Sequence, residues 1–250
     1  MTMIRLRGTQ PDIAFWLMTP NEDAAEIASM LGYGTVIIDM EHGSFNHASA
    51  ARTITVCKAL RLRVFTRVDC AERVPIQHAL DFGSDGVILP QIIDLEHATR
   101  VTGLAKYPPF GTRGFGGGKT VRYLPAPQHF VEDENRRISC WAMIETATAL
   151  ADVEAIAALE TVDGLFIGPN DLSLACGRGE YRADGRDHAD IARIAKAAEI
   201  RNKPWAMPVG SREDHDFACE LGAAFLTITD ERSALKDGLE ANLGRFEGLT

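Results

Sequence analysis

The sequence predicts a (β/α)8 barrel formed by one domain, residues 1–250. Three observations carry that prediction. Eight short apolar runs alternate with longer amphipathic stretches from one end of the chain to the other. The length, 250 residues, is the usual size of such a barrel. No proline- or serine-rich linker divides the chain, and a doubly wound sheet, the competing architecture, usually needs fewer strands.

The first strand is read at Ile13–Met18, a six-residue apolar run, and the second at Thr35–Met40. The third and fourth follow at Arg63–Val68 and Gly86–Pro90, each bounded by residues that interrupt regular structure. Ile138–Glu145 and Gly164–Gly168 supply the fifth and sixth, and Pro204–Val209 and Ala224–Thr229 the last two. Helical patterns fill the intervals at Glu22–Leu31, His47–Leu60, Arg73–Phe82, Leu95–Lys106, Ala149–Leu159, Ala189–Asn202 and Arg212–Leu221. A final helix, Ala234–Arg245, follows the last strand. Glycines stand where helix C-caps are expected, at Gly32 or Gly34, Gly83 and Gly222. The long irregular stretch Tyr107–Pro127 follows the fourth βα unit and is expected near the barrel mouth.

Composition narrows the function. Net charge is −9 and the basic residues are scattered, the nearest approach to a run being Arg61, Arg63 and Arg67, so a nucleic-acid footprint is not expected. The five cysteines lie far apart without a C-x-x-C pair, which reads as reduced thiols in a cytoplasmic protein. Arg5 and Arg7 precede an apolar run of only six residues, too short for a signal segment or a membrane span. Gly116-Gly-Gly-Lys119-Thr120 ends like a phosphate loop but lacks its spacing and its preceding strand.

Barrels of this kind do their chemistry at the C-terminal ends of the strands. There the second strand runs into Asp39-Met-Glu41-His42, the third ends at Arg67, the fifth at Glu145, and the sixth runs into Gly168-Pro169-Asn170-Asp171. Two carboxylates on neighbouring strands, Glu145 and Asp171, suit a hard divalent cation. Arg67 offers a permanent positive charge and His42 a base, a set fitted to a small anionic carbonyl compound. Each of these residues could instead serve packing. Glu145 could cap the following helix, Asp171 could cap a turn at Leu172–Leu174, and His42 could be an ordinary loop residue. Arg67 could pair structurally with Asp39 or Glu41, and Asp81 could pack at the barrel rim at the end of its helix.

These residues carry a resemblance. Asp39-x-Glu41-His42, Arg67, Gly86-Val-Ile-Leu-Pro90, Tyr107-Pro-Pro-x-Gly111-x-Arg113-Gly114, Ile144-Glu145-Thr146 and Val162-Asp-Gly-Leu-Phe-Ile-Gly168-Pro169-Asn170-Asp171-Leu-Ser173 resemble the metal-dependent class II pyruvate aldolases, from Ile13 to Phe246. The resemblance implies cleavage or formation of a 2-keto-4-hydroxy acid from pyruvate, or a related 2-keto acid, and an aldehyde, through an enolate. It implies Glu145 and Asp171 as ligands of Mg²⁺ or Mn²⁺, with Co²⁺ also accepted, and Arg67 at the keto oxygen. It implies His42 as the catalytic histidine with Asp81 as its acidic partner, Asp39 being a second candidate to orient it, and the segment Gly168-Pro169-Asn170 as the source of backbone donors to the substrate carboxylate. It further implies a homohexamer, a trimer of dimers, with the last helix exchanged between subunits.

Where relatives carry glutamine two residues before the metal glutamate, this chain carries Met143. Positions i and i+2 of a strand share a face, so Met143 is expected in the site beside Glu145 as a substrate-contacting residue. The stretch Gly116–Tyr123 departs as well. Two other functions are compatible with the fold: a citrate-synthase-like or acyl-CoA-dependent condensation, for which no basic cluster is evident, and a silent barrel that binds a small acid. None of the strand ends carries a lysine for Schiff-base chemistry.

Overall fold

A computed structural model describes residues 11–246; the readings of Arg5 and Arg7 lie outside them. Eight parallel strands close into a barrel in chain order: β1 (Asp12–Leu17), β2 (Thr35–Asp39), β3 (Arg63–Arg67), β4 (Gly86–Leu89), β5 (Ser139–Ile144), β6 (Gly164–Ile167), β7 (Trp205–Pro208) and β8 (Phe225–Asp230). Pairing of β1 with β8 completes the ring. Every expected strand is present, with ends displaced by at most one residue.

Helices α1 (Glu22–Met30), α2 (His47–Ala59), α3 (Arg73–Asp81) and α4 (Leu95–Thr102) follow the first four strands. Their starts are specified locally: Asn46 and Ser49 cap α2 reciprocally, and Asp94 accepts the His97 amide at the start of α4. Glycine caps the helix ends as expected at Gly83 and Gly222, with φ of +106° and +81°. Helix α5 (Phe130–Arg137) is not legible in the sequence, because Glu134 is its only fully buried residue and no apolar stripe marks it. The expected Ala149–Leu159 helix is two, α6 (Ala147–Ala151) and α7 (Val153–Ala158), interrupted at Asp152. Helix α8 (Pro169–Ala175) is longer than a turn, since Pro169 at its first position is preset for helix. Helices α9 (Gly185–Ile200), α10 (Arg212–Glu220) and α11 (Glu231–Gly244) complete the chain.

The irregular stretch after α4, expected near the barrel mouth, meets α3 at its mouth end through Thr112 and then runs down the outside of the barrel. Thr112 accepts from Arg73 at the start of α3, Gly114 lies against Gln77, Gly116 lies against Asp81, and Lys119 donates to the Phe82 carbonyl. The segment therefore descends along α3 toward the opposite end of the barrel, because it follows a helix and must return the chain to the start of β5.

Strand alternation divides the core. Val36, Ile38, Val64, Val87, Leu89, Cys140 and Leu165 point outward under the helices. Trp16, Ile37, Phe65, Ile88, Trp141, Met143, Phe166 and Phe225 fill the interior, so the barrel is a packed plug and not a pore. Aromatic edge contacts join that plug, Phe65 to Trp141 at 5.5 Å and Trp16 to Phe166 at 5.7 Å between ring centroids.

Candidate active site at the C-terminal mouth

Continuing the inward alternation one step beyond the plug produces the site. On β2 the inward series Thr35, Ile37 ends at Asp39; on β3 Phe65 is followed by Arg67; on β5 Trp141 and Met143 lead to Glu145; on β6 Phe166 leads to Gly168. The register places Asp39 directly opposite Arg67. Thus the apolar interior forms the floor, and one polar residue from each of several strands rises from it.

Asp39 and Arg67 form a buried bidentate pair. Arg67 Nη2 donates to Asp39 Oδ2 at 2.6 Å and Nε donates to Oδ1 at 3.0 Å. Arg67 Nη1 lies 3.1 Å from Glu41 Oε2, and the guanidinium sits over the Trp16 ring at 4.9 Å. Three of a guanidinium's five N–H groups are engaged in this way, which leaves two for a ligand. Asp39 also accepts from Trp16 Nε1 and from the backbone amides of Glu41 and His42. Burial pushes the Asp39 carboxyl up, but the hydrogen bonds and charge of Arg67 outweigh it and hold the group below its ordinary range. Asp39 is therefore a fixed anion that orients Arg67 and pins the Glu41–His42 turn by its main chain.

Glu145 is the opposite case. It is 1% exposed, and Oε1 accepts one bond, from the Gln91 amide at 2.6 Å. Gln91 delivers that amide from the left-handed region, with φ of +53°, an uncommon conformation for a residue with a side chain. Among the described residues Oε2 has no hydrogen-bond partner. Burial, with Glu41 and Asp171 close enough to repel, raises the carboxyl to about 7. Glu41 is raised for the same first reason, burial, with Arg67 and His42 opposing and Asp39 and Asp171 adding to the shift. Three mutually repelling carboxylates around an orphaned buried oxygen fit a bound cation. Among the described residues no three metal-binding side chains form a ready-made cage, so Glu145 and Asp171 would leave positions for oxygens of substrate and water.

Gly168 closes this corner. A Cβ there would stand 2.6 Å from Glu145 Oε2 and 2.8 Å from Met143 Cε, so any side chain at this position would displace the Glu145 carboxylate and the Met143 methyl. The same contacts put the Met143 methyl and the Glu145 carboxylate side by side, as the i, i+2 argument expected.

The structure thus brings together Asp39, Glu41, Arg67, Met143, Glu145, Gly168 and Asp171, with Pro169 and Asn170 in the first turn of α8. His42 stands at the rim, 63% exposed in its side chain, with Nε2 3.9 Å from Glu41 Oε2. Asp39 reaches its amide and not its ring. Asp81 does not join the cluster. It ends α3 at the other end of the barrel, where Oδ1 accepts from Arg113 Nη2 at 3.0 Å, so within one chain Asp81 packs at the rim. Neither Glu145 nor Asp171 is a helix cap: Thr146 caps α6, and Gly168 precedes α8. Arg67 pairs with both Asp39 and Glu41. The sequence assigns neither Trp16 nor Gln91 to the site and gives Glu41 no role beyond pairing. The alternation of β1 could have found Trp16, whereas Gln91 acts through a backbone amide and leaves no signal in the sequence.

Comparison with known proteins identifies the family and agrees with the fold. The family model for HpcH/HpaI aldolase/citrate lyase matches residues 12–202. A 2-dehydro-3,6-dideoxy-6-sulfogluconate aldolase of Pseudomonas putida is 33% identical over 205 residues, 82% of this chain and 79% of that one. A hydroxypyruvate/pyruvate aldolase of Paraburkholderia phytofirmans is 32% identical, covering 84% of this chain and 85% of that one. Among solved structures, an HpcH/HpaI aldolase/citrate lyase family protein of Burkholderia cenocepacia superposes with a TM-score of 0.86 at 26% identity, over 98% of each chain. The chain belongs to the HpcH/HpaI aldolase/citrate lyase family and is a carbon–carbon lyase of its aldolase branch.

Proposed function

We propose that the mouth of this barrel cleaves a 2-keto-4-hydroxy acid to pyruvate, or a closely related 2-keto acid, and an aldehyde, and runs the reverse condensation. The observation that carries the reading is the unpartnered Glu145 oxygen facing a second and third carboxylate, with Arg67 as the one arginine held among them. Glu145 and Asp171 would hold a divalent cation, Mg²⁺ or Mn²⁺ by preference and Co²⁺ in their place. When bound, that cation supplies Lewis-acid polarisation of the keto oxygen.

The remaining work falls to side chains of this chain. Arg67, held in place by Asp39 and Trp16, directs its two free N–H groups at the oxygen where negative charge develops as the C3–C4 bond breaks. Such a preorganised donor needs no reorganisation at the moment of reaction. The amides of Asn170 and Asp171 open the first turn of α8 after Pro169 and suit the substrate carboxylate, whereas the Gly168 amide donates to the Ile144 carbonyl. His42, at the rim beside Glu41, exchanges the C4 hydroxyl proton, directly or through water. The resemblance pairs that histidine with Asp81; such a pairing requires Asp81 from a neighbouring subunit. The apolar Met143 wall favours an acceptor with few hydroxyl groups near the reacting carbons.

A homohexamer, a trimer of dimers, is part of the same proposal. Leu235, Leu239 and Leu243 lie one turn apart on α11 and are exposed, which supports packing of this helix on a neighbouring copy. We also propose one catalytic domain across the whole chain, since closure consumes strands from Asp12 to Asp230. A cytoplasmic location is supported by five cysteines without a disulfide. Among the described residues no helix is long and apolar enough to cross a membrane.

The test is exchange of pyruvate methyl protons with deuterium, followed by NMR with Mg²⁺ or Mn²⁺ added. Exchange is expected, because it reports the enolate without needing the aldehyde. No exchange with any divalent metal would overturn the reading.

A further inference from the structure

Helix α11 does more than present an apolar stripe. Its first residue, Glu231, is buried at 7% exposure, although every other described residue of the helix is exposed. The Glu231 carboxylate accepts the Met18 amide on both oxygens, at 2.9 Å each, and Oε1 accepts the Thr19 hydroxyl at 2.8 Å. Bonds from a carboxylate to a backbone amide are among the stronger ones, and these span 213 residues of sequence.

Met18 and Thr19 are the turn that leaves β1 at the barrel mouth. The Met18 carbonyl in turn accepts the Ser44 amide at 2.8 Å. Gly43 makes that approach feasible, since a Cβ there would stand 2.7 Å from the Met18 carbonyl oxygen. Gly43 and Ser44 directly follow Glu41 and His42. The catalytic turn is therefore held from two sides: from inside by Asp39, through the amides of Glu41 and His42, and from outside by the Glu231–Met18–Ser44 chain.

We propose that Glu231 is a positioning residue for this aldolase, acting through Met18 and Ser44 on the Glu41–His42 turn, and that it couples the seating of α11 to the geometry of the site. The role of the turn in proton transfer rests on the function proposed above, whereas the coupling of Glu231 to the turn does not. Glu231 itself touches no reacting atom. A strap of this kind fixes where Glu41 and His42 stand, while the Asp39 grip on Arg67 and the proposed cation ligands on β5 and α8 are held without it.

The experiment compares the full-length protein with Glu231→Ala, Glu231→Gln and Glu240→Ala, the last an exposed position on the same helix. Amide hydrogen exchange by mass spectrometry reads residues 40–46, and steady-state kinetics reads kcat and KM. Glu231→Ala is expected to speed exchange at Ser44 and its neighbours by about tenfold or more, and to lower kcat by roughly tenfold at unchanged KM, as misplacement of a catalytic group does. Glu231→Gln, which keeps an acceptor for the Met18 amide, should recover most of both losses, and Glu240→Ala should match the wild type. Unchanged exchange in residues 40–46 of Glu231→Ala overturns the coupling, whether or not any activity is measured. Uniformly faster exchange across the barrel, without recovery by Glu231→Gln, also overturns it, because the residue would then serve overall stability. Local loosening of the turn with kcat unchanged overturns the positioning role, and absence of pyruvate exchange in the wild type counts against the proposed function alone.

Discussion

The two ends of this barrel both bury charges and treat them differently. At the end where the strands begin, cations and carboxylates are matched. Arg113 pairs with Asp81 and Glu134, Arg137 with Glu134 and Asp85, Lys58 with Asp85, and Lys106 with Asp163. At the mouth, among the described residues, Asp39, Glu41, Glu145 and Asp171 share one arginine, Arg67, and one oxygen of Glu145 has no hydrogen-bond partner. The matched end is built to hold the barrel shut. The mismatched end holds carboxylates that repel one another, and under the proposed function a cation and an anionic keto acid would relieve that repulsion together. Buried charge is thus the same resource at both ends, and the presence or absence of a counter-ion separates structure from function.

Variants at the two ends should therefore fail in different ways. The largest effect is expected at Glu145. Glu145→Gln should abolish detectable divalent-cation binding by calorimetry and reduce pyruvate proton exchange by about a thousandfold or more. It should at the same time leave the cation-free protein as stable as the wild type or more so at pH 8. The sign follows from the raised carboxyl. With a folded value of about 7 against an ordinary 4.5, the unfolded chain releases this proton first, so cation-free stability falls as pH rises from about 4.5 to about 7 and is level above. Removing the charge removes that penalty, of the order of 1–3 kcal/mol. Thermal melts with a chelator across this pH range read it directly, and a steeper loss in Glu145→Gln than in wild type would contradict the assignment.

Arg67→Lys is the next largest. An ammonium cannot keep the bidentate grip on Asp39 and still offer two N–H groups, so kcat should fall about 10²- to 10³-fold. Cation affinity in the absence of substrate should change little. At the opposite end, Lys106→Met should do the reverse. It strips the 2.7 Å partner from Asp163 and the donor from two backbone carbonyls, and should cost about 2–4 kcal/mol in urea unfolding. Its kcat per folded molecule should stay within about twofold of wild type, since no contact of Lys106 reaches the mouth. The smallest effect is expected at Met143→Gln, a near-isosteric exchange. It should alter the ratio of kcat/KM between polyhydroxylated and simple aldehydes by about 3- to 30-fold, with cation affinity retained.

Much of this contrast is legible in the sequence because a strand has period two. Trp141, Met143 and Glu145 have to share a face, and a closed parallel barrel puts the last of them at the mouth. The same logic locates Asp39, Arg67 and Gly168. What stays hidden depends on contacts between segments. The Asp39–Arg67 grip is one of two pairings the sequence allows for Arg67, and the structure makes both. Asp81 can be placed at the end of a helix but not at an end of the barrel relative to His42. The long stretch after α4 is expected near the mouth because of its length and its place after the fourth βα unit; it meets α3 at that end, and only the structure shows that it then runs down the helix. Helix α5 escapes notice because it is held by ion pairs of Glu134 and Arg137 and not by an apolar stripe.

The central claim is that the unmatched carboxylates at the mouth form one seat shared by a divalent cation and a 2-keto acid. Titration of Mn²⁺ into metal-free protein, with and without saturating pyruvate, tests it most directly. Pyruvate should tighten Mn²⁺ binding by about tenfold or more, since it contributes oxygens the protein lacks, and both the binding and the coupling should vanish in Glu145→Gln. Mn²⁺ affinity that is indifferent to pyruvate, or that survives Glu145→Gln unchanged, would contradict it.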